Sequence, residues 1–153
     1  MLPTECLCTR LRRASRGVSR LYDDALSGVG LNAAQYSLLR HLQRLDQPSI
    51  TDLSEAMGLE RSTLGRNLRV LEGRSLVTLQ GGTDQRHRLV GLTEAGERLL
   101  GDALDAWQGV QVQLKQRVQA HHLQALDELL ATLDQPQGCL LYTSDAADDS
   151  LRV

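Results

Sequence analysis

Hydrophobic residues recur at helical spacing along most of the chain. Six of them follow one another near the N-terminus at alternating steps of four and three residues: Leu7, Leu11, Ala14, Val18, Leu21 and Ala25. This seam predicts a long amphipathic helix that ends at Gly28–Gly30. A second helix begins after the capping residue Asn32, carries a stripe of leucines and is stopped by Gln47–Pro48.

The middle of the chain combines two short helices with two short strands. Ser49 predicts the start of one helix, Gly58 supplies a turn after it, and residues 60–72 predict a second helix. Val77–Gln80 and Leu89–Leu92 have strand character and flank a polar loop, which indicates a β-hairpin. A helix, a glycine turn, a second helix and a hairpin together predict a winged helix-turn-helix.

Two further helices are predicted after the hairpin. Thr93 caps a long one, a break is expected at His121–His122, and leucines stripe a short last helix. Only 3% of the residues are aromatic and none is Phe, so the core must be built from Leu, Val and Ala. We therefore expect a mainly α-helical fold with about six helices and one small β-hairpin.

The positions of the charged residues are more informative about function than the net charge of the chain. The formal net charge of −2 gives by itself no reason to expect a nucleic-acid partner. Residues 61–90, however, contain six arginines against only Glu72 and Asp84, a local net charge of six minus two, or +4. Positive charge gathered on one helix and one hairpin of a near-neutral protein is typical of a surface that binds nucleic acid.

The helix after Gly58 carries side chains that suit base and phosphate contacts. With its leucines buried, it would offer six polar residues to DNA: Arg61, Ser62, Thr63, Arg66, Asn67 and Arg69. Arginine pairs with guanine and asparagine with adenine in the major groove, and hydroxyls near a helix N-terminus suit phosphates. Gly65 in the same helix either permits a close approach to DNA or is a drifted surface position, and the sequence leaves both interpretations open.

The predicted hairpin tip adds Asp84, Arg86 and Arg88 to the candidate DNA-binding residues. Asp84 and Arg86 lie two residues apart and so on one side of a strand. There the carboxylate can hold the guanidinium extended for insertion into a minor groove. An exposed ion pair without function is the alternative interpretation.

Six motifs are shared with a known family: Gly30-Leu-Asn-Ala-Ala-Gln-Tyr36, Leu53-Ser-Glu-Ala-Met-Gly-Leu59, Arg61-Ser-Thr-Leu-Gly-Arg66, Leu71-Glu72, Asp84-Gln-Arg86 and Leu92-Thr-Glu-Ala-Gly96. On these motifs the chain resembles MarR-family transcriptional regulators from about residue 5 to residue 134. The resemblance implies an intertwined homodimer, built from the first, fifth and last helices, that binds a pseudo-palindromic DNA operator. It also implies that Arg86 reads the minor groove and that Asp84 orients it.

The expected organisation has three parts. Residues 1–30 and 93–135 form a helical dimerisation region, residues 31–92 form the DNA-binding lobe, and residues 136–153 form a non-native or disordered tail. The apolar seams of the first and fifth helices exceed what a lone winged domain could cover, which independently favours burial in a dimer. Residues 139–153 resemble the translation of a transposase-type sequencing adapter, so we exclude them from the functional argument.

Two hypotheses concern the signal that such a regulator would sense. Cys8, Arg16, Tyr22 and Gln35–Tyr36 match the register of the organic-peroxide-sensing branch of the family, in which a thiolate is oxidised to sulfenic acid. That branch usually has a tyrosine where this chain has Arg12, which could instead lower the pKa of the thiol. The favoured alternative is a small phenolic or aromatic effector bound between the dimer helices and the DNA-binding lobes.

Other classes of protein fit the sequence less well. We find no arrangement of residues typical of an enzyme or a cofactor site, and Cys6-x-Cys8 with a distant His121–His122 pair lacks metal-ligand spacing. A protein–protein adaptor with a winged-helix fold is the remaining rival, and it predicts no salt-dependent affinity for DNA. Without apolar runs near 20 residues or features of a secretion signal, we expect a cytoplasmic regulator, acting as a repressor and without a membrane partner.

Overall fold

The computed structural model describes residues 6–81, 84 and 87–134. These residues form six α-helices and one β-hairpin: α1 (Leu7–Leu26), α2 (Ala33–Leu45), α3 (Ile50–Met57), α4 (Arg61–Gly73), β1 (Val77–Gln80), β2 (Leu89–Leu92), α5 (Glu94–Arg117) and α6 (Ala120–Leu133). A short 3-10 turn, Ser27–Val29, follows α1. The order of elements confirms the predicted mainly α-helical winged helix-turn-helix.

Three of the helices begin where the sequence predicts, and each start has a side-chain cap. Asn32 Oδ1 accepts the backbone N–H of Gln35 at 2.8 Å, and Gln35 Oε1 accepts the N–H of Asn32 at 3.1 Å, which completes a capping box. The hydroxyl oxygens of Ser49 and Thr93 each accept the N–H three residues further on at 3.0 Å. These bonds satisfy N–H groups that the first turn of a helix leaves without a partner.

The break between the last two helices lies earlier than predicted. α5 ends at Arg117 and α6 begins at Ala120, so His121 and His122 lie in the first turn of α6 and the predicted break at this pair is wrong. Nδ1 of His122 accepts the N–H of Gln119 at 3.3 Å, as half of a reciprocal cap. Neither residue belongs to the usual capping types, which is why the pattern of the sequence misplaced the boundary.

The hairpin is anchored to the helix-turn-helix. β1 and β2 pair antiparallel from Val77 opposite Leu92 to Gln80 opposite Leu89, over the predicted strand segments. The chain before α3 adds a further rung, because the N–H of Val90 donates to the carbonyl of Pro48 at 2.8 Å. The base of the hairpin therefore has a fixed position relative to the start of α3.

The hydrophobic core is built almost entirely from leucine and valine, as the composition requires. The side chains with less than 2% exposure are Leu26, Leu38, Leu39, Leu53, Leu64, Leu68, Leu71, Val77 and Val90. Each such burial stabilises the fold by about 1.5–3 kcal/mol. The leucine face of α4 is thus fixed inward, which determines the face that α4 presents to solvent.

The chain divides into two compact units, Met1–Gln113 and Leu114–Val153. In the second unit α6 exposes the leucines of its stripe, between 39% and 45% of each side chain: Leu123, Leu126, Leu130 and Leu133. Among the described helices, none has the length and apolar composition that crossing a bilayer requires.

Candidate nucleic-acid interface

The turn between α3 and α4 sets the direction of α4. Gly58 follows α3 in the left-handed region with φ of 63°, and the N–H of Leu59 donates to the carbonyl of Ser54 at 3.0 Å. Glycine adopts this conformation without the steric cost that a Cβ imposes. The chain reverses here and begins α4 at Arg61, which gives the expected helix-turn-helix.

The outer face of α4 carries the predicted recognition residues. Ser62, Arg66 and Arg69 lie opposite the buried leucines at 3.6 residues per turn and are exposed, and Arg61 at the start of the helix is exposed as well. Thr63 is half-buried. Among the described residues none of the three arginines makes an ion pair. The positive charge of this face is therefore free to meet a polyanion.

Asn67 occupies the edge of this face. It is half-buried beside the inner leucines of α4, and its amide offers both a donor and an acceptor. Together with the hydroxyls and guanidiniums, the face can donate to guanine, pair with adenine and contact phosphates. That combination matches what sequence-specific readout of a major groove needs.

The three candidate DNA-binding residues of the hairpin differ in their exposure and contacts. Arg86 lies outside the described residues. Asp84 is exposed, and its carboxylate lies 3.6 Å from Nε2 of His87. Arg88 is half-buried, and its Nη2 points to the carbonyl of Leu79 at 3.5 Å across the hairpin. Nε of Arg88 is buried without a hydrogen-bond partner among the described residues, so this arginine packs against the hairpin near the tip end of its strands.

A cavity of about 420 Å³ opens between α1, α2 and α5 in the first unit, and its aromatic wall has a defined geometry. The rings of Tyr36 and Trp107 stack with centroids 6.0 Å apart and planes 23° apart. The Tyr36 hydroxyl is buried without a partner in the described structure, and burial raises the pKa of this phenol despite the opposing charge of Arg40. An orphaned donor and a stacked aromatic pair are features of a ligand-binding wall.

The lining that α2 adds beyond Tyr36 is mostly polar and basic: Ser37, Arg40, His41 and Arg44. Nδ1 of His41 is held by the carbonyl of Ser37 at 2.7 Å, so the ring nitrogen Nε2 remains for another partner. Sequence reasoning missed this lining. The only available indication was a helical spacing: Arg44 lies four residues after Arg40 and three residues after His41, which puts the three on one side of a helix.

Tyr22 contributes to the same cavity from α1. Its hydroxyl accepts the amide N–H of Gln111 at 2.5 Å, and burial raises the pKa of the phenol against the effect of that bond. Within one chain Tyr22 does not meet Cys8, because fourteen residues of helix place them about 21 Å apart along α1.

The candidate redox residues gather at the start of α1. Cys6 and Cys8 are both exposed, and neither forms a disulfide within the described residues. The pKa of the Cys6 thiol is lowered, chiefly by a hydrogen bond from the side chain of Thr9 and also by the charge of Arg12. The charge of Arg12 makes the smallest of these contributions at Cys6, and its effect on the Cys8 thiol stays a prediction.

Comparison with known proteins gives a consistent result. The family model described as the MarR family matches residues 29–87. The transcriptional regulator MosR of M. tuberculosis, solved in complex with DNA, is 31% identical with a TM-score of 0.75 over 97% of this chain and all of that one.

Two more distant structures share the fold. BpsR of Bordetella bronchiseptica, described with regulation of its DNA binding by 6-hydroxynicotinic acid, is 22% identical, with a TM-score of 0.74 over 87% of this chain and 96% of that chain. A cysteine-to-serine mutant of MarR from E. coli, complexed with operator DNA, is 22% identical, with a TM-score of 0.74 over 85% of this chain and 94% of that chain.

Proposed function

The chain belongs to the MarR family of DNA-binding transcriptional regulators, and we propose that it acts as a repressor that binds a pseudo-palindromic operator as a homodimer. The exposed arginine face of α4, set opposite three fully buried leucines, is the observation that carries this proposal. In the proposed complex α4 of each subunit enters a major groove, and the two grooves lie about 34 Å apart along the duplex.

Each candidate residue has a role in this complex. Arg66 and Asn67 read base edges in the major groove, while Arg61, Ser62, Thr63 and Arg69 contact phosphates. Arg86 enters the minor groove and Asp84 orients it. Arg88 supports the tip end of the hairpin strands, since its guanidinium faces the carbonyl of Leu79.

The homodimer is supported by apolar surface that the single chain leaves uncovered. Leu7 and Val18 of the α1 seam are 45% and 43% exposed, and the leucine stripe of α6 is exposed to a similar degree. Apolar stripes of this kind mark protein interfaces. We assign residues 1–30 and 93–135 to dimerisation and residues 31–92 to DNA binding.

DNA binding is tested with a duplex that the wild-type protein selects from a random-sequence pool. We expect Arg66→Gln to weaken binding and to relax the base preference at the contacted position. We expect Arg69→Gln to weaken binding and to reduce the slope of log K against log salt by about 1 per lost phosphate contact. Arg98→Gln is the matched control, because Arg98 is an exposed arginine already paired with Glu94 on α5. Selection of no duplex, or binding without salt dependence, would favour the adaptor hypothesis.

Dimerisation is tested on α6. The double variant Leu126→Glu with Leu130→Glu puts two carboxylates into the proposed interface, where desolvation is costly. We expect light scattering to report a monomer and circular dichroism to report retained helix. Leu45→Glu is the matched control, since Leu45 at the end of α2 is 41% exposed and lies outside the proposed interface. A double variant that stays dimeric would contradict the assignment of α6.

The proposed signal is a small aromatic anion bound in the 420 Å³ cavity. The stacked Tyr36 and Trp107 suit an aromatic ring, the orphaned Tyr36 hydroxyl suits an acceptor, and Arg40 with Arg44 suits a carboxylate. Binding there would compete with the lobe arrangement that holds DNA, and so release the operator.

The cavity contains the only tryptophan of the sequence, so its fluorescence reports binding directly. Titration with 4-hydroxybenzoate is expected to change the emission of Trp107 and to release the selected duplex, whereas phenol, which lacks the carboxylate, is expected to bind more weakly. Arg40→Gln should reduce this difference between the two compounds. Equal affinity for both in the wild-type protein would exclude an anion site.

An oxidant signal at the N-terminus of α1 is the second candidate, favoured by the lowered pKa of the exposed Cys6 thiol beside Cys8. A thiolate attacks the terminal oxygen of an organic hydroperoxide, the O–O bond breaks, and the products are a sulfenic acid and an alcohol. Operator binding is titrated with cumene hydroperoxide in the wild type, Cys8→Ser and Cys6→Ser. Equal responses in all three would exclude a thiol sensor.

A further inference from the structure

Arg74 makes a contact that its place in the basic segment 61–90 does not suggest. It is the residue that follows α4, and its Nη1 donates to the carbonyl oxygen of Gly30 at 2.8 Å, across 44 residues of sequence. A guanidinium on a carbonyl is a charge-assisted bond, stronger than a neutral one. It joins the end of α4 to the connection between α1 and α2.

Gly30 is shaped to receive this guanidinium. Its φ of 77° lies in the left-handed region, and a Cβ built on it would come within 3.3 Å of Nη2 of Arg74. A side chain at position 30 would therefore strain the backbone and push the guanidinium away from the carbonyl. This gives a physical role to the first residue of the Gly30–Tyr36 motif.

The connection that Arg74 holds is itself fixed to α1 and α2. Oδ1 of Asp23, near the end of α1, accepts the N–H of Ala33 at the start of α2 at 2.7 Å. Ala33 and Tyr22, the neighbour of Asp23, both line the 420 Å³ cavity. The cavity wall and the end of α4 are thus linked through one short segment, residues 27–32.

The other side of the same end of α4 is held by α5. The hydroxyl of Thr93 donates to the carbonyl of Ser75 at 2.7 Å, and the N–H of Thr93 donates to the carbonyl of Leu76 at 3.1 Å. The end of α4 is therefore attached both to Gly30 and to Thr93. The attachment to Gly30 depends on one side chain, that of Arg74.

We propose that Arg74 is a positioning residue for DNA recognition: it fixes the end of α4 to the α1–α2 connection through Gly30 and does not contact DNA. The inference rests on the proposed function in one respect, that α4 is the helix that reads DNA. Arg74 is exposed, and the proposal assigns its guanidinium to a contact within the protein instead of a contact with DNA.

The first experiment separates positioning from direct contact. With the duplex selected by the wild-type protein, Arg74→Gln is expected to weaken binding by about tenfold while the slope of log K against log salt stays at the wild-type value. Arg69→Gln, which removes the same charge from the exposed face of α4, is expected to reduce that slope by about 1 for each subunit of the dimer. Arg74→Lys, which can still donate to the Gly30 carbonyl, should recover most of the affinity.

Two outcomes of this experiment would overturn the proposal. A slope in Arg74→Gln that falls as it does in Arg69→Gln would make Arg74 a phosphate contact. Unchanged affinity in Arg74→Gln would mean that the bond to Gly30 has no bearing on recognition.

The second experiment needs no DNA and so remains informative if the proposed function fails. In amide hydrogen exchange, Arg74→Gln and Gly30→Ala are each expected to speed exchange in both residues 27–33 and the end of α4. The first removes the guanidinium from the contact, and the second strains the backbone that carries the accepting carbonyl. Arg98→Gln should leave both segments unchanged. Faster exchange confined to the mutated segment would show that the contact does not couple them, and would overturn the proposal.

Discussion

Leu68 in α4 and Leu126 in α6 are the same residue in the same kind of helical stripe, yet Leu68 has no exposed surface and Leu126 is 44% exposed. The difference lies in what covers each stripe within the chain. α4 packs against α3 and the hairpin, whereas α6 leaves its leucines open. Hydrophobic periodicity thus identifies an apolar face, but it does not identify what covers that face.

The same contrast runs along α1. Leu26 at its end has no exposed surface and belongs to the core, while Leu7 near its start is 45% exposed. The end of α1 therefore belongs to the core, whereas its start is an open apolar surface. This gradient is expected of a helix that completes one fold and contributes to an interface with a second copy.

The largest expected effect tests this contrast directly. Leu68→Ala should lower the free energy of unfolding by about 3 kcal/mol at every protein concentration, because it leaves a cavity in a closed core. Leu126→Ala should cost less than about 1 kcal/mol at nanomolar concentration and more where the chain associates. Chemical denaturation over a range of protein concentrations measures both. Similar, concentration-independent losses would mean that the two stripes do not differ in this way.

A smaller effect is expected at Tyr36, a core aromatic residue with a buried hydroxyl. Tyr36 is 4% exposed and its hydroxyl has no partner in the described structure, so Tyr36→Phe should raise the free energy of unfolding at neutral pH by about 1 kcal/mol. Denaturation at pH 7 measures this change, and a loss instead of a gain would mean that the hydroxyl is satisfied.

The same variant has a consequence at alkaline pH. Burial raises the pKa of Tyr36 above its ordinary value of 10.0, so the wild-type protein loses stability as the pH rises past about 10, where the unfolded chain deprotonates first. Tyr36→Phe should show a shallower alkaline loss. The alkaline loss of stability that remains in this variant is expected to include a contribution from Tyr22, because burial also raises the pKa of that phenol.

The elements of the lobe could be predicted because their signals are local. Ser49, Gly58 and Thr93 each act within three or four residues, and the two strands were placed correctly by their flanking turns. The boundary at Gln119 was missed because its cap uses an unusual pair. Local rules therefore succeed where the residue types are the common ones.

The candidate site could be predicted only in part, for a related reason. The exposed face of α4 follows from the position of its leucines, so the exposure of Ser62, Arg66 and Arg69 could be predicted, while their contacts with DNA stay a prediction. The cavity depends on Tyr22, Tyr36 and Trp107 meeting from three helices, and the contact of Arg74 with Gly30 spans 44 residues. No spacing rule reports such pairs, because only the folded core brings them together.

The smallest expected effect concerns Gly65, which lies in the well-packed lobe but has open space around its Cα. A Cβ at Gly65 in α4 would meet nothing within 4 Å, so Gly65→Ala should raise the free energy of unfolding by about 0.5–1 kcal/mol through helix propensity alone. Gly96→Ala is the matched control with the opposite sign, since a Cβ at Gly96 would run into the carbonyl oxygen of Leu76. Thermal denaturation of both variants measures these changes. A stabilised Gly65→Ala that also binds the selected duplex more weakly would place the DNA against this part of α4 and decide between the two interpretations of this glycine.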